Sequence, residues 1–431
     1  MTLAEVRLWG RSIGAVSLEE GDRIATFQYD PEFAQSGIQI APLTMPLGDT
    51  PYRFPNLGYE AFKGLPGLLA DSLPDKFGNA LIDVWLARQG RDSARFNAVE
   101  RLLYTGARGM GALEFRPATG PRAQASKPID IDALVALASE VLTDRETLRQ
   151  SLSDGHREEA LREILRVGTS AGGARAKAVI AWNPVTQEVR SGQVEAGEGF
   201  EYWLLKFDGV ENNKDKDLAD PKGFGAIEYA YYLMAVAAGI TMSECRLLEE
   251  NGRRHFMTKR FDRKNGGEKV HMQSLGALMH FDYNVPGAHS YEQAILAMRK
   301  LNLPAGQIEE QYRRAVFNIL ARNQDDHVKN IAFLMDKKGN WALSPAFDVS
   351  YAYNPSGSWT NAHQMSLNGR RDGFEMSDYL DFAKMAGLKR GRGRDILEEV
   401  RGAVARWSEF ADEAGIDSRF RRQIAALHRI E

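Results

Sequence analysis

Two apolar rhythms share this chain, and the points where one gives way to the other mark its parts. Residues 6–8 and 13–16 alternate on either side of Gly10 and Arg11, which predicts a β-hairpin, and residues 24–29 read as the next strand. Residues 42–55 are rich in proline and turn formers and read as loop. A helical pattern follows Ser72, Leu73, Pro74 and Asp75 and runs to residue 88, with a second helix over 96–104. Three prolines without periodicity in 116–128 predict a domain boundary. Beyond it the spacing predicts helices over 131–142, 145–152 and 156–165.

Strands are predicted over 178–182 and 202–207, and in the second the alternation buries Trp203 and Leu205 while turning Lys206 the other way. Residues 208–225 form a polar loop, 227–238 an apolar helix bearing Glu228, and 245–248 and 256–258 two further strands. From Ser274 onward the pattern is largely helical, over 275–279, 291–301, 307–320, 377–385, 394–414 and 418–427. One hairpin interrupts it, pairing 331–335 with 341–343 across a turn at 336–340.

Composition narrows the class. At 431 residues the chain has room for two or three domains, and 43% hydrophobic with 26% charged residues is an ordinary globular balance. A net charge of −3 argues against a generally basic nucleic-acid binder. Cys245 is the only cysteine, which rules out an intrachain disulfide and a thiolate metal cluster. The opening residues lack the basic-then-apolar pattern of a signal peptide, and no apolar run reaches the length of a membrane span. A cytoplasmic enzyme or binding protein is expected.

Candidate chemistry concentrates at Asn323, Gln324, Asp325, Asp326, His327, Val328, Lys329 and Asn330, read with Ser344, Pro345, Ala346, Phe347 and Asp348. Phosphoryl transfer needs a carboxylate to orient a hydroxyl and accept its proton, and hard oxygen ligands for magnesium. Asp325, Asn330 and Asp348 are those groups, and the hairpin would bring Asn330 and Asp348 to one end. By itself the segment reads equally well as an acidic loop capping a helix.

Other signals are weaker. The glycines of 106–111 precede a strand rather than a helix and read as a turn. Residues 167–177 hold small residues that let backbone N–H groups approach phosphate, and Lys177 can add charge there, yet a plain glycine-rich turn is the simpler reading. Lys206 reads as solvated unless its face lines a cleft. Lys259, Arg260, Phe261 and Asp262 read as a charged strand end, and Lys389, Arg390, Arg392 and Arg394 as a solvated loop before a helix.

Serial order is more telling than any one motif. A small-residue loop with a lysine, a strand with Lys206, a helix with Glu228, a strand ending at Lys259 and a helical lobe with Asp325, Asn330 and Asp348 follow one another. That is an α+β, two-lobed, protein-kinase-like arrangement, with a mixed N-terminal lobe, an extra β-rich subdomain and a largely helical C-terminal lobe. The His-Arg-Asp and Asp-Phe-Gly signatures of protein kinases are absent.

With the segments Gly67 to Gly78, Ser170 to Lys177, Asn323 to Asn330 and Ser344 to Asp348, the chain resembles the HipA family of bacterial serine/threonine kinase toxins. Members pair with a small helix-turn-helix, HipB-like antitoxin. The resemblance implies a HipA-like N-terminal subdomain over 1–116, the rest of the N lobe over 117–262 and the catalytic lobe over 263–431. It implies Asp325 as catalytic base, Asn330 and Asp348 as magnesium ligands, and Lys206 with the backbone of Gly172, Gly173, Ala174, Arg175, Ala176 and Lys177 at the phosphates of ATP. Lys259, Arg260 and Phe261 would form the hinge at adenine, His327 would sit by the phosphates and Phe347 by the metal, and Ser170 would be autophosphorylated to inactivate the enzyme. It further implies DNA contact only through the antitoxin, no membrane, and a protein substrate such as an aminoacyl-tRNA synthetase. A small-molecule kinase of the same fold and a non-enzymatic co-repressor are the alternatives.

Overall fold

The computed structural model describes residues 1–121, 128–143, 163–165, 167–168, 175–193, 195–210 and 223–430. The expected helix over 145–152, most of that over 156–165 and the greater part of the loop over 208–225 lie outside the described residues. The chain divides into two compact units, one of Met1–Ile38, Leu47–Gly225 and Arg246–Met272, the other of Gln39–Pro46, Ala226–Cys245 and Gln273–Glu431.

In the first unit, β1 (Thr2–Leu8) and β2 (Arg11–Leu18) are joined by a two-residue turn in which Trp9 and Gly10 take φ of 49° and 83°. Positive φ at both positions gives the hairpin turn whose twist matches that of the strands. Ala4, Val6 and Leu8 face inward from β1, as do Ile13, Val16 and Leu18 from β2. β3 (Thr26–Tyr29) and β4 (Leu113–Arg116) complete an antiparallel sheet of order β3-β2-β1-β4. Gly14 cannot carry a side chain, because a Cβ there would lie 2.2 Å from the Gln28 carbonyl oxygen.

A second sheet has the order β6-β5-β7-β9-β8, from β5 (Lys177–Trp182), β6 (Val189–Ser191), β7 (Glu201–Lys206), β8 (Cys245–Glu250) and β9 (Arg253–Lys259). β6 is missing from the sequence pattern, since three residues are too few to establish a period. Ala178, Ile180 and Trp182 of β5 join Trp203 and Leu205 of β7 in one core with Phe77, Leu81 and Val84 of the helix Lys76–Arg88 and Leu134, Val135 and Ala138 of the helix Ile131–Thr143. The expected alternation of β7 is therefore observed, with Lys206 on the opposite face from Trp203.

After β10 (His271–Ser274) the chain is mostly helical, with the antiparallel pair β11 (Ala332–Met335) and β12 (Trp341–Leu343) as the exception. One expected element differs. The helix read over 394–414 is two, Arg392–Ala405 and Trp407–Glu413, parted at Arg406 (φ −86°, ψ 13°). The break turns the buried Trp407 ring onto Tyr231, 5.3 Å between centroids in an edge-on contact, while its Nε1–H donates to the Arg421 carbonyl at 3.0 Å. Periodicity continues through such a break because both halves bury the same stripe.

Histidines in the second unit make the fold acid-sensitive. Tyr231 donates its hydroxyl to the Ala321 carbonyl at 2.5 Å, so His428 Nε2–H is the donor in their 3.0 Å contact. Burial pushes His428 down to about 4, and burial likewise pushes His280 down to about 4, from the ordinary 6.5. Between those values the unfolded chain takes up protons that the folded chain refuses. Stability is thus whole above 6.5 and falls as pH drops toward 4, by up to about 1.4 kcal/mol per pH unit for each histidine. Urea midpoints measured from pH 7.5 to 4.5 should trace that slope, and His428→Phe, which keeps a ring beside Tyr231 and Trp407, should make it shallower.

Candidate active site

In the second unit the helix Ala305–Leu320 ends in a loop that buries Asn323, Gln324, Asp326 and Val328 and leaves Asp325 and His327 part-exposed. Arg322 takes φ 58°, Asn323 Nδ2 donates to Asn318 Oδ1 at 2.9 Å and Gln324 Nε2 to the Thr360 carbonyl at 3.2 Å. With those two turned inward, Asp325 faces outward, its side chain 41% exposed. Trp359 Nε1–H donates to Asp325 Oδ1 at 2.6 Å, and His327 Nε2 lies 3.9 Å from the same oxygen. His327 Nδ1 accepts from the Lys329 backbone N–H at 3.3 Å, which leaves the ring proton on the nitrogen nearer Asp325.

Asn330 Nδ2 donates to the Asp325 carbonyl at 2.9 Å, so Oδ1 is the end of that amide able to meet a cation. Pairing of Phe333 with Leu343, continued by the Ser344 N–H to the Ala332 carbonyl at 2.9 Å, sets Asn330 and Asp348 beyond the same open end of the β11-β12 hairpin. Asp348 is exposed in the left-handed region at φ 54°, and Phe347 beside it is half-buried. Oxygen donors of this kind suit magnesium. Among the described residues no group of three or more His, Cys, Asp or Glu side chains could hold a metal. An amide oxygen and a carboxylate are donors that would suit an ion taking its other ligands from phosphate and water, as magnesium does.

The first unit carries the remaining candidates. Lys206 ends β7 half-buried, its Nζ 5.7 Å from the Phe256 ring centre. Lys177 stands directly opposite it in the β5-β7 register, where like charges repel. The Lys177 ammonium is buried 3.1 Å from Asp75 Oδ2, while Asp75 Oδ1 caps the helix Lys76–Arg88 by accepting from the Gly78 N–H at 2.6 Å. So the charge that the sequence offered to phosphate is directed at Asp75, which neutralises one of two facing lysines. Asp75→Asn keeps a cap but removes the counter-charge and should cost about 1.5–3 kcal/mol. An unshifted denaturant midpoint would deny the pair that role. Arg175 lies over the Phe224 ring at 4.5 Å, and the Ala176 carbonyl accepts from the Phe207 N–H at 3.1 Å. Ser170, Gly172, Gly173 and Ala174 lie outside the described residues.

At the expected hinge, Lys259 Nζ meets Glu201 Oε1 at 2.5 Å, the Arg260 N–H donates to the Tyr202 carbonyl at 2.8 Å, and Phe261 is half-buried. The segment is a charged strand end, since β9 stops at Lys259, but the charges of Arg260 and Asp262 are buried. Arg260 grips Asp262 through Nε to Oδ1 at 2.8 Å and Nη2 to Oδ2 at 2.6 Å, and all of it is buried. Arg263 Nη1 reaches the same Oδ2 at 2.8 Å, and the Gly111 N–H donates to it at 2.7 Å. Arg263 also donates to the Gly109 carbonyl at 3.0 Å and the Gly111 carbonyl at 2.9 Å. Burial alone would raise the Asp262 carboxyl, but Arg260 and Arg263 hold it below the ordinary carboxylate value. The glycine turn at 106–111 thus cradles the Asp262 carboxylate and the Arg263 guanidinium that pairs with it.

Asp326 is the functional candidate the sequence reading passed over. Its two oxygens accept from Tyr291 Oη at 2.5 Å, His363 Nδ1 at 2.8 Å and the Gln364 N–H at 2.7 Å. Burial would raise its pKa, but His363 beside it, with the bonds from Tyr291 and Gln364, brings it below the ordinary value. Nothing in the doubled Asp325-Asp326 tells which carboxylate faces inward. His363 and Trp359 gave no signal either, lying in a stretch without periodicity.

Residues 169–407 match the HipA-like C-terminal domain, and residues 4–116 the HipA N-terminal domain. The protein Y4mE of Sinorhizobium fredii (strain NBRC 101917 / NGR234), designated a kinase by name only, is 26% identical over 211 residues, 45% of this chain and 50% of its own. The chain thus spans about half the length of that curated relative. Among solved structures, HipA of Shewanella oneidensis MR-1, in a complex with HipB and its operator DNA, aligns with TM-score 0.68 at 18% identity, over 98% of this chain and 96% of that one. The mixed helix-and-sheet fold is therefore shared with that HipA.

Proposed function

Because the chain belongs to the HipA family, we propose that it is an ATP- and magnesium-dependent serine/threonine protein kinase, the cytoplasmic toxin of a toxin-antitoxin pair. What supports this reading is the outward carboxylate of Asp325, whose own carbonyl accepts from Asn330 Nδ2, with Asn330 and Asp348 both beyond one hairpin end. Lys206 and the backbone of 172–177 would hold the phosphates, with His327 near them and Phe347 beside the metal ligands, and the backbone of Lys259, Arg260 and Phe261 would hold adenine. Asp325 Oδ2 accepts the proton of the acceptor hydroxyl as that oxygen bonds to the γ-phosphorus and the bond to ADP breaks. Bound magnesium, held by Asn330 and Asp348, would neutralise phosphate charge. Catalysis by these residues is then chiefly placement and electrostatics.

The Shewanella complex supports a small HipB-like antitoxin as partner, with DNA met through it. Autophosphorylation at Ser170 would add roughly −1.5 to −2 charge to the phosphate loop and silence the enzyme. An aminoacyl-tRNA synthetase is the protein substrate we propose. No helix among the described residues is long and apolar enough to cross a membrane.

The test is incubation with γ-labelled ATP, magnesium and a bacterial lysate, followed by phosphopeptide mapping. Label on serine or threonine of a lysate protein, and on Ser170, is the expected result. Label confined to small molecules would replace the reading with a small-molecule kinase. An unlabelled reaction from a chain that still binds its antitoxin would point to a co-repressor.

A further inference from the structure

Resting on the kinase reading, we infer that Trp359 is a positioning residue for Asp325, clamped by a closed circuit of hydrogen bonds. The circuit starts with the indole N–H on Asp325 Oδ1 at 2.6 Å. Gln364 Nε2 donates to the Trp359 carbonyl, and the Gln364 backbone N–H donates to Asp326 Oδ1 at 2.7 Å. Asp326 is the chain neighbour of Asp325, and the circuit closes there. Both ends of the indole's segment are thereby tied to the peptide that carries the carboxylate.

The circuit stands on a buried base. Asp326 Oδ2 accepts from Tyr291 Oη at 2.5 Å and from His363 Nδ1 at 2.8 Å, so the peptide after Asp325 cannot rotate without breaking buried charged bonds. His363 Nε2 in turn meets Arg429 Nη1 at 3.2 Å, and since arginine only donates, that nitrogen accepts and Nδ1 holds the proton given to Asp326. The Arg429 N–H is itself fixed to the Leu320 carbonyl at 2.9 Å, at the end of the helix that leads into the loop.

An indole suits this task because it donates and cannot accept. It fixes one oxygen of the carboxylate without competing for the proton in transit, which leaves Oδ2 for the acceptor hydroxyl. Holding a reacting group in its productive orientation is a recognised source of rate. An indole that instead blocked the carboxylate would act in the opposite direction, and the two are separable by sign.

The experiment compares the full chain with Trp359→Phe, which keeps a flat though smaller ring and removes the donor. Magnesium and labelled ATP are supplied with casein as acceptor. The expected result is a fall in kcat of about tenfold to a hundredfold, with KM for ATP and the melting temperature unchanged. In indole-15N-labelled protein, the resonance missing from Trp359→Phe should be the one displaced in Asp325→Ala. An unchanged or increased kcat overturns the inference, as does a loss of kcat that comes with a lowered melting temperature or an indole resonance indifferent to Asp325→Ala. A wild-type chain that phosphorylates neither casein nor itself, with the resonance behaving as expected, overturns the kinase reading and the catalytic role built on it while the contact stands.

Discussion

Asp262→Ala is expected to cost about 3–5 kcal/mol of stability, the price of leaving buried charge uncompensated. Without that carboxylate, Arg260 and Arg263 would share one buried site as two cations, and the Gly111 N–H would lose its acceptor. Arg263 is already pushed down to about 10, by burial first and then by Arg260, with Asp262 opposing both. Total folding stability is usually about 5–15 kcal/mol, so the loss is a large fraction of it. The measurement is a denaturant midpoint and melting temperature, the latter expected to drop by roughly 6–20 °C at about 2–4 °C per kcal/mol. A variant within about 0.5 kcal/mol of wild type would show that the cluster contributes nothing net.

The pH sign follows from the direction of the Asp262 shift. Its contribution is complete above the ordinary 3.8 of the unfolded chain and is lost as pH falls below that toward the depressed folded value. Between pH 4 and 2 the wild type should therefore lose part of the stability that separates it from Asp262→Ala, and the two curves should draw closer together. Because Asp262 follows directly on the proposed adenine-binding residues, nucleotide affinity should fall with it.

Asp325→Ala is expected to lower kcat for phosphoryl transfer by about 10²–10⁴-fold, the usual range for a positioned general base. KM for ATP should stay within about threefold, since under the proposed function this carboxylate acts on the acceptor hydroxyl and not on the nucleotide. Stability should change by no more than about 1–2 kcal/mol, because the side chain is part-exposed and loses one bond, that from Trp359. Asp325→Asn separates the two functions of the group: it can still accept from the indole but cannot take the proton. Steady-state kinetics on all three proteins decide the matter, and wild-type rates from either variant would remove Asp325 from the mechanism.

Local features were legible before any coordinates. The hairpins around Gly10 and at 336–340, the alternation of β7 and the long helix ahead of Asn323 all follow from periods and turn residues that act over a few positions. The second hairpin also determines that Asn330 and Asp348 lie beyond its same end, because their places are counted from the turn. The motifs that carry the resemblance were enough to identify the family.

Choice of partner was settled by tertiary structure alone. A sequence lists charges, but the stability of a buried charge depends on which opposite charge packing brings within about 3 Å, far along the chain. That is why Lys177 turned out to serve Asp75 and Asp262 to be held by Gly111 and two arginines. It is also why, of two adjacent carboxylates, Asp326 went inward to His363 while Asp325 faced out against Trp359. The break at Arg406 has the same origin, since the Tyr231 and His428 rings that receive Trp407 belong to distant segments whose arrival no local period announces.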